Sequence, residues 1–236
     1  MDVLYYNGVH SIMFGDKHTW FDWHLVPLSK PVIPPPELVE NFVDIPGANG
    51  QLDLTDVLNG FPTYKNRSGE FAFVIDPAYG YLDSVYPMIA NTLHGRRTKV
   101  ILTDDPDWYY EGRVVVRSAE SGKDYSSISF ACNLDPFKLT VNPIPGYEQI
   151  EVNGTKTLDG ISFGYCPMRQ IAKITATNVP LGGHIDATLT NVDGEMTGKI
   201  VEGSYRYPGL VFAPGSNTLV LNGTGTVTIE LRGGSL

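Results

Sequence analysis

The chain has little of what most function classes require. Its two cysteines, Cys132 and Cys166, lie far apart with no CxxC spacing, which excludes a disulfide framework and predicts two reduced, packed thiols. The longest uninterrupted apolar runs are only a few residues, against the roughly 20 that a membrane-crossing helix needs, so no membrane insertion is expected. Positive charge is scarce: 17 basic side chains face 26 acidic ones, for a net charge of -9, and no basic cluster exceeds the Arg96-Arg97 pair. Nonspecific attraction to nucleic acid or to an anionic membrane is thereby disfavoured, and no sequence-specific nucleic-acid partner is expected. The opening MDVLYYNGVHSIMF lacks the positive stretch and longer apolar core of a signal peptide, so synthesis in the cytoplasm is expected.

Catalytic signals are missing as well. A phosphate loop needs Gly-Lys followed by Ser or Thr, whereas Gly122-Lys123 is followed by Asp124 and Gly198-Lys199 by Ile200. The stretch VDIPGANGQLDLT (43–55) has glycines but no lysine after them, and its leucine-aspartate alternation has a strand's period of two. PGANG therefore reads as a tight turn. The five histidines are scattered with no metal-binding spacing, and Asp104, Asp105 and Asp107 lack the glycine and glutamate of a calcium loop. No GxSxG elbow is present. No catalytic, cofactor-binding or metal-binding residue is assigned, and the chain is expected not to be an enzyme.

What is present reads as mainly β. Segments such as FAFVI (71–75), KVILT (99–103), RVVVRS (113–118) and SISFAC (127–132) are β-branched or aromatic and bounded by turn residues. One stretch differs: Val85, Met88, Ile89 and Leu93 recur at spacings of three and four. This predicts one α-helix over about 84–94, with Ser84 as its N-cap, Pro87 in its first turn and Gly95 as its stop. The proline-rich SKPVIPPPELVENF (29–42) must be extended and leads into an arm. A second proline cluster, 135–149, separates a half holding all three tryptophans from a Thr/Gly/Val-rich half with none, which places a domain boundary near residue 140. The second half alternates with turn signals about every ten residues, the pattern of an antiparallel sandwich. LVLNGTGTVTIEL reads as its clearest hairpin, turning at Asn222-Gly223.

In their order, FDWHLVPL (21–28), VDIPGANGQLDLTDVLNG (43–60), YKNRSGEFAF (64–73), NTLHGRRTKVILTDDPDWYYEGRVVV (91–116) and GSNTLVLNGTGTVTIELRGGSL (215–236) resemble the distal tail protein (Dit) family of long-tailed phages with non-contractile tails. The resemblance implies residues 1–138 as a ring-forming β-sandwich or barrel-like domain with the one helix and an extended arm, about 29–62. It implies residues 139–236 as a galectin-like antiparallel β-sandwich projecting outward. The implied protein is a homo-hexameric ring at the virion tail tip, made and assembled in the host bacterial cytoplasm. Its implied partners are the tail tube protein, the tail-associated hub or lysin protein and, beyond these, a receptor-binding or tail-fibre protein.

For such a ring the arm supplies one contact face, with Ile45, Leu52 and Leu54 as apolar anchors; packing of these three on the chain's own sheet is the other reading. Trp108, Tyr109 and Tyr110 have the composition of an interface hot spot. Adjacent strand residues point to opposite faces, so a core role for one face and an intersubunit role for the other is expected. The alternative function is a carbohydrate-binding module recognising host cell-surface saccharide. Against it, no tryptophan follows Trp108, and His184 in GGHIDA lacks neighbouring asparagine and arginine.

Overall fold

Apolar side chains at every second position commit most of this chain to strands that have one face to bury. The computed structural model describes residues 10–57, 60–75, 82–122, 125–164 and 168–236; Cys166 lies outside them. The chain divides after residue 141 into two units, each with its own hydrophobic core. It is mainly β, with the described residues of the first unit holding one α-helix and the second unit an antiparallel β-sandwich.

In chain order the first unit carries β1 (Ile12–Phe14), β2 (Lys17–His18), β3 (Leu25–Pro27), β4 (Phe42–Asp44), β5 (Gln51–Asp53), β6 (Arg67–Ile75), α1 (Leu82–Leu93), β7 (Arg96–Leu102), β8 (Trp108–Ser121), β9 (Ser126–Leu134) and β10 (Lys138–Thr140). The main sheet runs β2-β1-β7-β8-β9-β6-β3, all antiparallel. Along β6 every second residue is buried. Register sets Phe71 opposite Phe130 and Phe73 opposite Ile128 of β9, so these apolar side chains share one face. The Phe130 ring lies 5.4 Å from Phe14 and 5.6 Å from Phe73, within the range aromatic pairs favour.

Helix α1 closes this face with Leu82, Val85, Ile89 and Leu93. It begins two residues before the expected start, because Leu82 belongs to the apolar stripe that the core recruits. Ser84 therefore lies inside the first turn rather than at the cap, and Pro87 falls in the second turn. There its ring is exposed, and the helix forgoes one ladder bond. The expected stop is present: Gly95 has φ +75, the left-handed conformation that ends helices, and its N–H donates to the Val114 carbonyl at 2.8 Å.

The second unit carries β11 (Ile150–Ile161), β12 (Gln170–Thr177), β13 (Ile185–Asn191), β14 (Gly194–Ile200), β15 (Gly203–Phe212) and β16 (Asn217–Glu230). The expected hairpin over LVLNGTGTVTIEL is not there; one continuous strand, β16, runs through it. Along one edge β16 pairs with β13 over Thr218–Asn222 and then with β12 over Thr226–Glu230, while β11 follows its other edge. The change of neighbour falls at Gly223 and Gly225, whose φ values of +153 and +151 are closed to residues with a Cβ. Local alternation around Asn-Gly is the same for a turn and for a bent strand, which is why the sequence pattern pointed to the turn. The sheet curls until its end strands meet, and a Cβ on Gly198 of β14 would sit 3.2 Å from Leu210 of β15.

Asn217, fully buried at the start of β16, locks this corner. Its Nδ2 donates to the carbonyls of Ile161 at 3.0 Å and Ala213 at 2.9 Å, and its Oδ1 accepts from Ala213 N–H and Asn191 Nδ2, both at 2.9 Å. A buried amide satisfied on this many sides fixes a loop more firmly than an apolar residue could.

Two predictions follow from these constraints. Gly225→Ala puts a Cβ 3.0 Å from the Thr177 carbonyl oxygen in a forbidden backbone region. Urea denaturation should show a loss of about 1–3 kcal/mol, and an unchanged midpoint would mean that the bend tolerates a side chain. The second concerns His18, a buried residue whose Nδ1 accepts from the N–H groups of Trp20 and Phe21 at 3.2 Å, so the ring is held neutral. Burial lowers its pKa, against a smaller opposing pull from Asp22. An unfolded histidine titrates near 6.5. Between that value and the lower folded one the unfolded chain holds the extra proton, so stability is full above about pH 6.5 and declines as pH falls. Wild type should lose more stability between pH 7.5 and 5 than His18→Asn; equal losses would contradict this.

Candidate functional site

The turn 45–50 decides how the arm is built. Ala48 N–H donates to the Ile45 carbonyl at 3.1 Å, Pro46 occupies the second turn position and Gly47, at φ +81, the third. That is the arrangement a type II turn requires. The turn joins β4 to β5, with Phe42 opposite Asp53, Val43 opposite Leu52 and Asp44 opposite Gln51. Leu54 N–H extends the ladder to the Asn41 carbonyl at 2.8 Å.

Directly opposed residues share a face, so this register sorts the ribbon chemically. Val43 and Leu52 lie on one side, and the alternation brings Ile45 and Leu54 to the same side. Phe42, Asp44, Gln51 and Asp53 take the other, where Gln51 Nε2 donates to Asp44 Oδ1 at 2.9 Å. The apolar side is uncovered: Val43, Ile45 and Leu52 are 43%, 46% and 46% exposed, and Leu54 is half-buried. Among the described residues the ribbon forms a two-stranded sheet of its own. A two-stranded ribbon without a covered face is marginal in water, and a contiguous exposed apolar face marks an interaction site.

Its charge is one-sided. Residues 31–64 carry Glu37, Glu40, Asp44, Asp53 and Asp56 and not one lysine or arginine. The Thr55 side chain and N–H hold the Asp53 carboxylate below the usual range, so it stays ionised.

The root of the arm is pinned by Arg67, a buried arginine with no carboxylate partner among the described residues. Its Nε donates to the Pro136 carbonyl at 2.6 Å and its Nη1 to the Pro34 carbonyl at 3.1 Å, while the guanidinium lies 5.4 Å from the centre of the Tyr110 ring. Burial disfavours its charge, yet an arginine stays protonated. The guanidinium is therefore held by two carbonyls and an aromatic face, which ties the proline-rich segment to the sheet. Lys65 adds an exposed ion pair with Glu37 at 3.0 Å.

Of the residues singled out from the sequence, Ile45, Leu52 and Leu54 come together on one face, joined by Val43, which only the cross-strand register reveals. Trp108, Tyr109 and Tyr110 lie elsewhere, at the start of β8. Tyr109 and Tyr110 are buried, at 4% and 7% exposure, and Trp108 is half-buried, so neither tyrosine presents its ring at the surface. Each of the three rings carries a cation of the same unit: Lys138 over Trp108 at 4.9 Å, Lys99 over Tyr109 at 4.5 Å and Arg67 over Tyr110. Asp104 faces His10 and Lys30, and Asp105 meets Lys138 at 2.7 Å. No cluster with metal-ligand geometry occurs among the described residues.

Sheets and ribbon together define a two-unit, mainly β protein with an exposed amphipathic arm. Among solved structures, the crystal structure of SPP1 Dit (gp 19.1), described as a paradigm of hub adsorption apparatus in phages infecting Gram-positive hosts, is similar to it. The two superpose with a TM-score of 0.57 at 11% identity, over 97% of this chain and 100% of that one. At that identity the likeness is one of fold. No protein-family model matches the chain, and no curated protein matches it in sequence.

Replacing Arg67 tests the anchoring of the arm. Because residues 31–64 contain no tryptic site, chymotrypsin is the probe. Arg67→Met should speed cleavage within that segment severalfold, and Arg67→Lys should not restore protection, since a point charge cannot bridge two carbonyls in the same fork. Unchanged cleavage would show that the arm is held by other contacts.

Proposed function

We propose that this chain is a structural component of a long, non-contractile phage or prophage tail. Six copies close into a ring at the distal end of the tail, joining the tail tube to the tail-tip hub and adsorption apparatus. The observation that carries this reading is the uncovered apolar face of the β4–β5 ribbon, on a chain whose fold is similar to that of SPP1 Dit. A head-to-tail ring needs two different faces on each subunit, and an amphipathic ribbon standing clear of its own sheet is one such face. The second unit serves as a galectin-like projecting domain, and the partners are the tube protein, the hub or lysin protein and a receptor-binding or fibre protein. The role is one of binding and assembly rather than catalysis. A net charge of -9 suits a ring through which DNA passes, since a basic lumen would retain the genome.

Light scattering of the purified chain, followed by negative-stain imaging, tests the reading. The expected result is a mass near six times 25.9 kDa with ring-shaped particles, and a shift to monomer for the Val43→Asp, Leu52→Asp double variant. A monomer over a wide concentration range would contradict self-assembly and favour saccharide binding by the second unit instead.

A further inference from the structure

The side of the first unit's sheet that faces away from α1 is organised in rows across β6, β9 and β8. Ser68, Asn133 and Arg113 form one row, Glu70, Ala131 and Val115 the next, and Ala72, Ser129 and Ser118 the third. Successive rows are two residues apart along a strand, about 7 Å. Most of these side chains are short, and the open groove above them is bordered by Lys65, Arg113 and Arg117. Register on β8 slips between Val116 and Ser118, so Arg117 is the extra residue of a β-bulge. Bulges re-aim side chains, and this one brings Arg117 to a further cleft over Ala72 and Ser129, where Glu70 is the other charged residue.

The charges of the groove are unlike those of the chain as a whole. Lys65, Arg113 and Arg117 border it against Glu70 alone, on a protein of net charge -9. Lys65 is spent on Glu37, at 3.0 Å. The two arginines are not neutralised in this way among the described residues. Arg97 of β7 lies directly opposite Arg113 and takes the carboxylates of Glu111 and Asp135, which leaves Arg113 with the Gly95 carbonyl. Arg117 is exposed, with no carboxylate pairing it among the described residues. Arg113 and Arg117 stand four residues apart on one strand, about 13 Å, which is also the separation of residues i and i+4 in an extended chain. The row of Glu70 falls between them.

We infer that this groove binds an extended acidic segment of another protein, with carboxylates at positions i and i+4 turned towards Arg113 and Arg117 and none at position i+2. Charge complementarity names the occupant, since a guanidinium fork matches a carboxylate in geometry as well as in sign. The acidic side chains point into the groove, where the short residues of the floor leave them room; the alternate side chains of the segment face solvent. Glu70 selects the middle position by repulsion: a carboxylate facing its row meets a like charge, and a serine does not. Single-stranded nucleic acid is the poorer fit. None of the groove's residues is aromatic, so no base can stack there, and an unbroken series of phosphates cannot skip the row of Glu70. The site needs only one copy of this chain and stands apart from ring assembly.

Fluorescence anisotropy of labelled peptides with the full-length chain at low salt tests the site. One peptide has glutamate at every fourth position and serine elsewhere; a second, of equal length, has glutamate at every second position. The first should bind saturably and about fourfold more tightly than the second, although it carries less charge, because it alone leaves the row of Glu70 without a carboxylate. Glu70→Gln should abolish that preference. Arg117→Glu, checked for folding by circular dichroism, should weaken binding of the first peptide about tenfold. Lys156→Glu, the same change of charge at an exposed position of β11, should leave it unaltered. No saturable binding, tighter binding of the second peptide by the wild type, or equal losses in the two charge variants would overturn the inference. So would a single-stranded oligonucleotide that binds more tightly than the first peptide. Light scattering of the same samples reads assembly separately, so the failure of either reading is distinguishable from that of the other.

Discussion

Most of the long strands have one apolar face, and the structure follows from how each such face is covered. In the first unit helix α1 lays Leu82, Val85, Ile89 and Leu93 across the sheet's apolar side. In the second unit no described helix is available, and the sheet covers itself by curling, with β16 bent at two glycines so that it can serve two neighbours in turn. Among the described residues, the β4–β5 ribbon is the element that leaves its apolar side open. The same rule that builds both cores therefore marks the ribbon as unfinished in a single copy.

A ribbon of that kind is useful only if it is held in place, and polar contacts rather than apolar burial do the holding. The guanidinium of Arg67 spends a buried charge on the carbonyls of Pro34 and Pro136, which lie outside the strands and so are not taken up by a sheet ladder. At the opposite end of the chain Asn217 plays a comparable part for the β16 corner. Both are buried polar groups whose value lies in fixing one arrangement of chain, a role in which an apolar residue of similar size would leave carbonyls without partners.

Much of this was legible in the residues, and the rest was not for identifiable reasons. Strand segments such as FAFVI and the stripe of α1 could be read because periodicity is local. Pro46-Gly47 could be read as a turn because only certain residues enter that conformation. The bend at Gly223 was misread as a hairpin, since Asn-Gly within alternating residues fits either outcome until the partners of both halves are known. Val43 went unnoticed because its place beside Leu52 depends on cross-strand register. The burial of both Tyr109 and Tyr110 was hidden because covering the two faces of one strand is a tertiary event. Arg67 and Arg117 read alike as basic strand residues; one is buried beneath a proline segment and the other is displaced by a bulge, and neither fate is written in its neighbours.

The central claim is that the apolar face of the ribbon is covered by another copy. Hydrogen exchange of the full chain, read by mass spectrometry at protein concentrations above and below self-association, tests it most directly. The account predicts that peptides spanning residues 40–56 exchange at least tenfold more slowly in the assembled protein, while the buried strand β6 is unchanged. Equal exchange of the ribbon in both states, with assembly established by mass, would contradict it.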